Sequence, residues 1–98
     1  MPLTHDFREI VKARAEREPE FRLGLFQEAL EALLNDELDL SKTLLRDYVN
    51  ATIGFDVLAQ KMQKSPRSLI RMLSDRSNPR ADNLLAVVAH LNRQEAQV

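Results

Sequence analysis

Ninety-eight residues with a net charge of −1, two glycines, four prolines and no cysteine suit one domain (1–98) that buries about two-thirds of its unfolded surface. The lack of cysteine excludes disulfides, thiolate catalysis and zinc–thiolate sites, and so few glycines and prolines disfavour a small β-sandwich. The dominance of Ala, Leu, Glu, Lys, Arg and Gln instead predicts an all-α fold, a compact bundle of about six short helices.

Thr4 or Asp6 is the expected cap of a first helix that reaches about Glu18, with Phe7, Ile10 and Val11 as a narrow apolar stripe. Pro19 then breaks the chain, because a proline pushes the residue before it out of helical geometry. The second helix is expected from Pro19 to Asn35. Leu23, Phe26, Leu30, Leu33 and Leu34 recur in it at spacings of three and four, with Leu25 and Ala29 widening the face. Gly24 inside it marks either a close helix approach or nothing. Residues 1–36 form a helical extension to the core that follows.

A third helix is expected over Leu38–Ala51, with Ser41, Leu44, Leu45, Tyr48 and Val49 on one side and Arg46 and Asp47 facing elsewhere. Tyr48 reads as a half-buried packing residue with a wet hydroxyl rather than a catalytic acid. Gly54 suits the positive φ of a helix end. The fourth helix, Phe55–Met62, should bury Val57, Leu58, Ala59 and Met62.

After a turn at Gln63-Lys64, Ser65 stands directly before Pro66, a cap residue followed by proline at the first helical position. The fifth helix is expected over Pro66–Ser74. Leu69, Met72 and Leu73 point inward, and Arg67, Ile70, Arg71 and Ser74 share one outward stripe. The loop Asp75–Asn78 leads to a last helix over Ala81–Arg93, whose Leu84, Leu85, Val87, Val88 and Leu91 make it either central to the core or part of a dimer interface. Gln94–Val98 is expected to fray.

Charge is distributed unevenly along this order. Residues 1–60 carry 7 basic and 12 acidic groups, whereas Lys61, Lys64, Arg67, Arg71, Arg76 and Arg80 face Asp75 alone over residues 61–80. A net +5 in 20 residues of an acidic chain is a directed patch of the kind that attracts polyanions, or a solvated basic surface. Ile70 between two arginines fits the first alternative. In a DNA major groove it would touch thymine methyls while Arg67 or Arg71 reaches guanine edges.

Phe55–Arg80 resembles the helix-turn-helix of Cro/C1-type (XRE) repressors, a lambda-repressor-like fold. Leu58-Ala59-Gln60-Lys61-Met62 is similar to the first motif helix, with a small Ala at the fifth position from Phe55. Leu69 and Met72 fall where the family places apolar residues of the recognition helix, and Asn78-Pro79 with Leu84 matches its usual continuation. The family commonly has glycine at the ninth position, where Gln63 stands here. A non-glycine left-handed residue costs roughly 1 kcal/mol. With the two leading helices and the run from Leu45 to Phe55, the whole chain resembles addiction-module antidotes (HigA-like antitoxins).

The resemblance implies a homodimeric repressor that binds a double-stranded DNA operator, with a RelE- or ParE-like toxin as a further partner. Base contacts would come from Arg67, Ser68, Ile70 and Arg71, and phosphate contacts from Lys64, Ser65, Ser74, Arg76 and Arg80. The alternative is a protein-interaction module of the same fold that neutralises a partner without binding DNA. RNA is disfavoured for want of exposed aromatics.

No enzyme, metal site or cofactor is expected. His5, at the start of the chain, and His90, on the last helix, are the only histidines, and a lone histidine on such a helix is more often a surface or packing residue than a base. The acidic clusters lack the glycine-turned loop of a calcium site, and no glycine-rich loop cradles a phosphate. No apolar run approaches the roughly 18 residues of a membrane span, and the first residues lack the basic-then-apolar order of a signal peptide. A cytoplasmic protein is expected.

Overall fold

The computed structural model describes residues 3–97, with side chains from Glu9 to Gln97. Among these, α1 spans Leu3–Arg17, α2 Pro19–Leu34, α3 Leu38–Ala51, α4 Phe55–Met62, α5 Pro66–Met72 and α6 Ala81–Ala96, with no strand. The chain is thus all-helical, with boundaries that follow its helix-breaking residues. Glu18 is extended (φ −121°, ψ 93°) before Pro19, as the proline ring demands. α1 is already helical at Leu3, so neither Thr4 nor Asp6 precedes it as a cap; their side chains and that of Phe7 lie outside the described residues.

α2 packs along α3, α1 lies against both, and α4 meets α5 and α3. The core gathers Phe26 and Ala29 of α2, Leu45, Tyr48 and Val49 of α3, Leu58 and Ala59 of α4, Leu69 and Leu73 around α5, and Leu84, Val87 and Leu91 of α6. The Phe26 and Tyr48 rings stack at its centre, 5.1 Å between centroids and tilted by 35°, a favourable offset geometry. Gly24 meets no neighbour that an added Cβ would touch, so it marks no close helix approach.

Several expected faces are rotated. In α2, Phe26, Ala29 and Ala32 are buried, while Leu23 and Leu34 are 40% and 86% exposed. At 100° per residue, Leu23 and Leu34 lie beside the buried stripe and turn towards solvent, while Leu30 and Leu33, nearer to it, pack half-buried against the core. In α4, Phe55, Leu58, Ala59 and Met62 face the core, whereas Val57 sits on the far side at 45% exposure. In α1, Ile10 is exposed and, among the described side chains, Ala15 is the buried one.

Tyr48 is not half-buried but fully enclosed, and its hydroxyl is not wet. It donates to Glu95 Oε1 at 2.5 Å. The same carboxylate accepts from Arg22 Nε (3.1 Å to each oxygen) and Arg22 Nη2 (2.9 Å). This network extends α6 to Ala96, three residues past the expected end, and orders a stretch expected to fray. The hydrogen bonds from Arg22 hold the Glu95 carboxyl below the usual carboxylate range. Burial, and then the bond to Glu95, push the Tyr48 phenol above its ordinary value.

Candidate nucleic-acid interface

α4 and α5 are joined by Gln63, Lys64 and Ser65. Gln63 is left-handed (φ 57°, ψ 43°). Its N–H bonds the Gln60 carbonyl at 3.3 Å and the Lys64 N–H bonds the Ala59 carbonyl at 2.9 Å, the paired closure of a Schellman helix end. The tight turn therefore forms with glutamine rather than glycine at its left-handed position. Ser65 is extended and accepts from the Ser68 N–H at 3.1 Å, the cap bond expected of serine before Pro66. The Ser65 hydroxyl also donates to Ser68 Oγ at 2.8 Å, which leaves the Ser68 hydroxyl proton free to point outward.

α5 ends at Met72, two residues earlier than expected, because side chains compete for its last carbonyls. The Ser74 hydroxyl donates to Arg71 O (2.8 Å), and the Ser77 hydroxyl to Met72 O (2.5 Å) and Ser74 O (3.0 Å). Two cations of α3 complete the end. Arg46 Nη1 donates to Leu73 O (2.9 Å), and Lys42 Nζ donates to Ser77 O (2.6 Å) and Asp75 O (3.4 Å). Arg46, expected to face elsewhere, thus reaches across to α5 and also pairs with Asp75 (3.5 Å). Positive charge at a helix C-terminus is favourable as well as geometrically useful.

With both ends fixed, α5 buries Leu69 and Leu73 and half-buries Met72. Its outer face carries exposed Arg67, Ser68, Arg71 and Ile70, the last 47% exposed. Lys64, Ser65, Arg76 and Arg80 are exposed around it and Ser74 is half-buried. Among the described residues, Lys64, Arg67, Arg71 and Arg76 have no side-chain hydrogen bond or ion pair. Arg80 differs, pairing with Asp82 at 3.2 Å. Lys61 donates to Gln94 on α6 (3.0 Å). The expected candidates therefore share one region around α5, with Ser65, Ser68, Ser74 and Arg80 already engaged internally. Lys42 and Arg46 organise that region and were not anticipated, since neither position breaks the local pattern of α3.

α6 carries Leu84, Val87 and Leu91 into the core and leaves Leu85 59% exposed, so most of its apolar surface is spent inside the fold. His90 lies on the same helix. Burial first, then Arg93 and Lys61, push its pKa below the ordinary imidazole value; its Nδ1 sits 3.1 Å from Arg93 Nη2. Among the described residues no group of His, Asp and Glu is placed to hold a metal ion, and no helix is long and apolar enough to cross a membrane. No known family, curated protein or solved structure matches the chain.

Proposed function

We propose that the protein is a sequence-specific DNA-binding regulator in which α4 and α5 act as a helix-turn-helix and α5 enters the major groove. The observation that carries this is the exposed face of α5 and its approach turn. Four cations, Lys64 in the approach turn, Arg67 and Arg71 on α5 and Arg76 in its exit loop, have no intramolecular partner among the described residues, and the half-exposed Ile70 lies between the two arginines of α5 in sequence. Unpaired arginines reach guanine edges bidentately and an isolated aliphatic side chain meets thymine methyls, whereas the exposed Lys64 and Arg76 on either side of α5 would meet the phosphate backbone. Ser65, Ser74 and Arg80 are the further proposed phosphate contacts, and each would exchange an internal partner for the phosphate. One α5 reads too few base pairs for tight recognition, so a homodimer presenting two of them one DNA turn apart is part of the proposal. The resemblance to HigA-like antidotes adds autorepression and a toxin partner.

Selection from a random duplex library, followed by a salt titration of the winning sequence, tests the reading. About six phosphate contacts per dimer give a slope of log K against log salt near −5. A protein-interaction module would enrich no sequence and give a flat response.

A further inference from the structure

Lys42 is the one fully buried charged side chain among the described residues. Its ammonium has three donors and meets three acceptors: Ser77 O (2.6 Å), Asp75 O (3.4 Å) and Asp39 Oδ1 (3.4 Å). Burying a cation is costly, and an apolar side chain of similar volume often serves stability as well or better. Core filling alone therefore does not account for a lysine at this place in α3.

The carbonyls it grips are more informative. Asp75 O belongs to the peptide bond entering Arg76, and Ser77 O lies one residue beyond it. The backbone of Arg76 is thus held on both sides from within the core, while its side chain is exposed and has no partner among the described residues. Arg46, one helical turn along α3, grips the Leu73 carbonyl of the same stretch. We propose that Lys42 is a positioning residue that sets Arg76 against a DNA phosphate at the exit of α5. The proposal rests on the DNA-binding reading above. It assigns to α3, a helix outside the α4–α5 unit, control over one backbone contact of that unit.

A role confined to stability and a role in positioning differ in salt dependence. Loss of folded protein lowers apparent affinity equally at every ionic strength, whereas loss of a phosphate contact flattens the salt slope by about 0.9 per contact. The experiment measures the binding of wild type, Lys42→Met, Arg76→Ala and the double variant to the selected duplex across a salt series, with circular dichroism as the check on folding. Lys42→Met is expected to flatten the slope by about one contact per protomer, as Arg76→Ala does, and to leave the base preference unchanged. The double variant should lose no more than either single variant, since both remove the same contact.

A wild-type slope in folded Lys42→Met, or losses that add in the double variant, would overturn the proposal and leave the DNA reading standing. Absence of salt-dependent binding by wild type would remove both. If Lys42→Met does not fold, Lys42→Gln, whose amide still donates to one carbonyl, is expected to flatten the slope in the same direction by less; an unchanged slope there overturns the proposal equally.

Discussion

Replacing Glu95 by glutamine tests whether the end of α6 is held by charge. The carboxylate accepts three bonds from Arg22 and one from Tyr48, and the paired side chains are only 14% and 13% exposed. Removing one member of a buried ion pair costs about 3–5 kcal/mol. Here solvent reaches the edge of the pair and the amide keeps one oxygen as an acceptor, so about 2 kcal/mol is expected. For a domain of this size that is a fall of about 10 °C in Tm, read by thermal and urea denaturation at neutral pH. The pH dependence has a definite sign. The folded Glu95 carboxyl titrates below its unfolded value because Arg22 hydrogen-bonds the ionised form. Its contribution is therefore complete above the ordinary carboxylate range and is lost as pH falls through the lowered folded value. Wild type and Glu95→Gln should converge in acid. A difference below about 0.5 kcal/mol at neutral pH, well under the range for a charge-assisted bond, or a gap that persists unchanged in acid, would refute the reasoning.

Gln63→Gly should stabilise the fold by up to about 1 kcal/mol in urea denaturation, because it relieves the left-handed strain seen at φ 57°, less the entropy glycine adds to the unfolded chain; a clear loss would count against strain at this turn. Ser65→Ala removes the cap bond to the Ser68 N–H and should cost about 1 kcal/mol, measured the same way. On selected DNA, Arg67→Ala or Arg71→Ala should each cost about 1–3 kcal/mol and relax base preference, whereas Lys64→Ala should weaken all sequences alike. The reverse pattern, measured by competition binding, would mean that the facing of α5 has been misassigned.

Element boundaries were legible because they depend on neighbours in the chain. Pro19, Gly54 and the Ser65-Pro66 pair act locally, and the helices they open start where expected. The left-handed φ at Gln63 was implied only by the resemblance, since glutamine carries no local signal for it. Facing was less so: α2 has leucines around much of its circumference, and only the placement of α1 and α3 decides that Phe26 is covered and Leu34 is not. The polar networks were not legible at all. Arg22 and Glu95 are 73 residues apart, and Lys42 lies 33 and 35 residues from the carbonyls it holds. Local periodicity carries no trace of such pairs. In an unaligned sequence Lys42 is one polar residue among several on an amphipathic helix. Around α5, the exposed basic residues could be named from spacing and charge, but the residues that hold the loop in place could not.

The burial of Lys42 also has a consequence for chemical labelling. The chain has four lysines, of which Lys12, Lys61 and Lys64 are exposed while Lys42 is sealed. Under a brief pulse of an amine-reactive reagent the three exposed amines should be modified at once, and Lys42 only when the Asp75–Ser77 loop lifts away from α3. Mass spectrometry of the peptide carrying Lys42 would then time that opening without any added probe. Labelling that runs ahead of global unfolding would identify the exit of α5 as a separately opening unit of the protein.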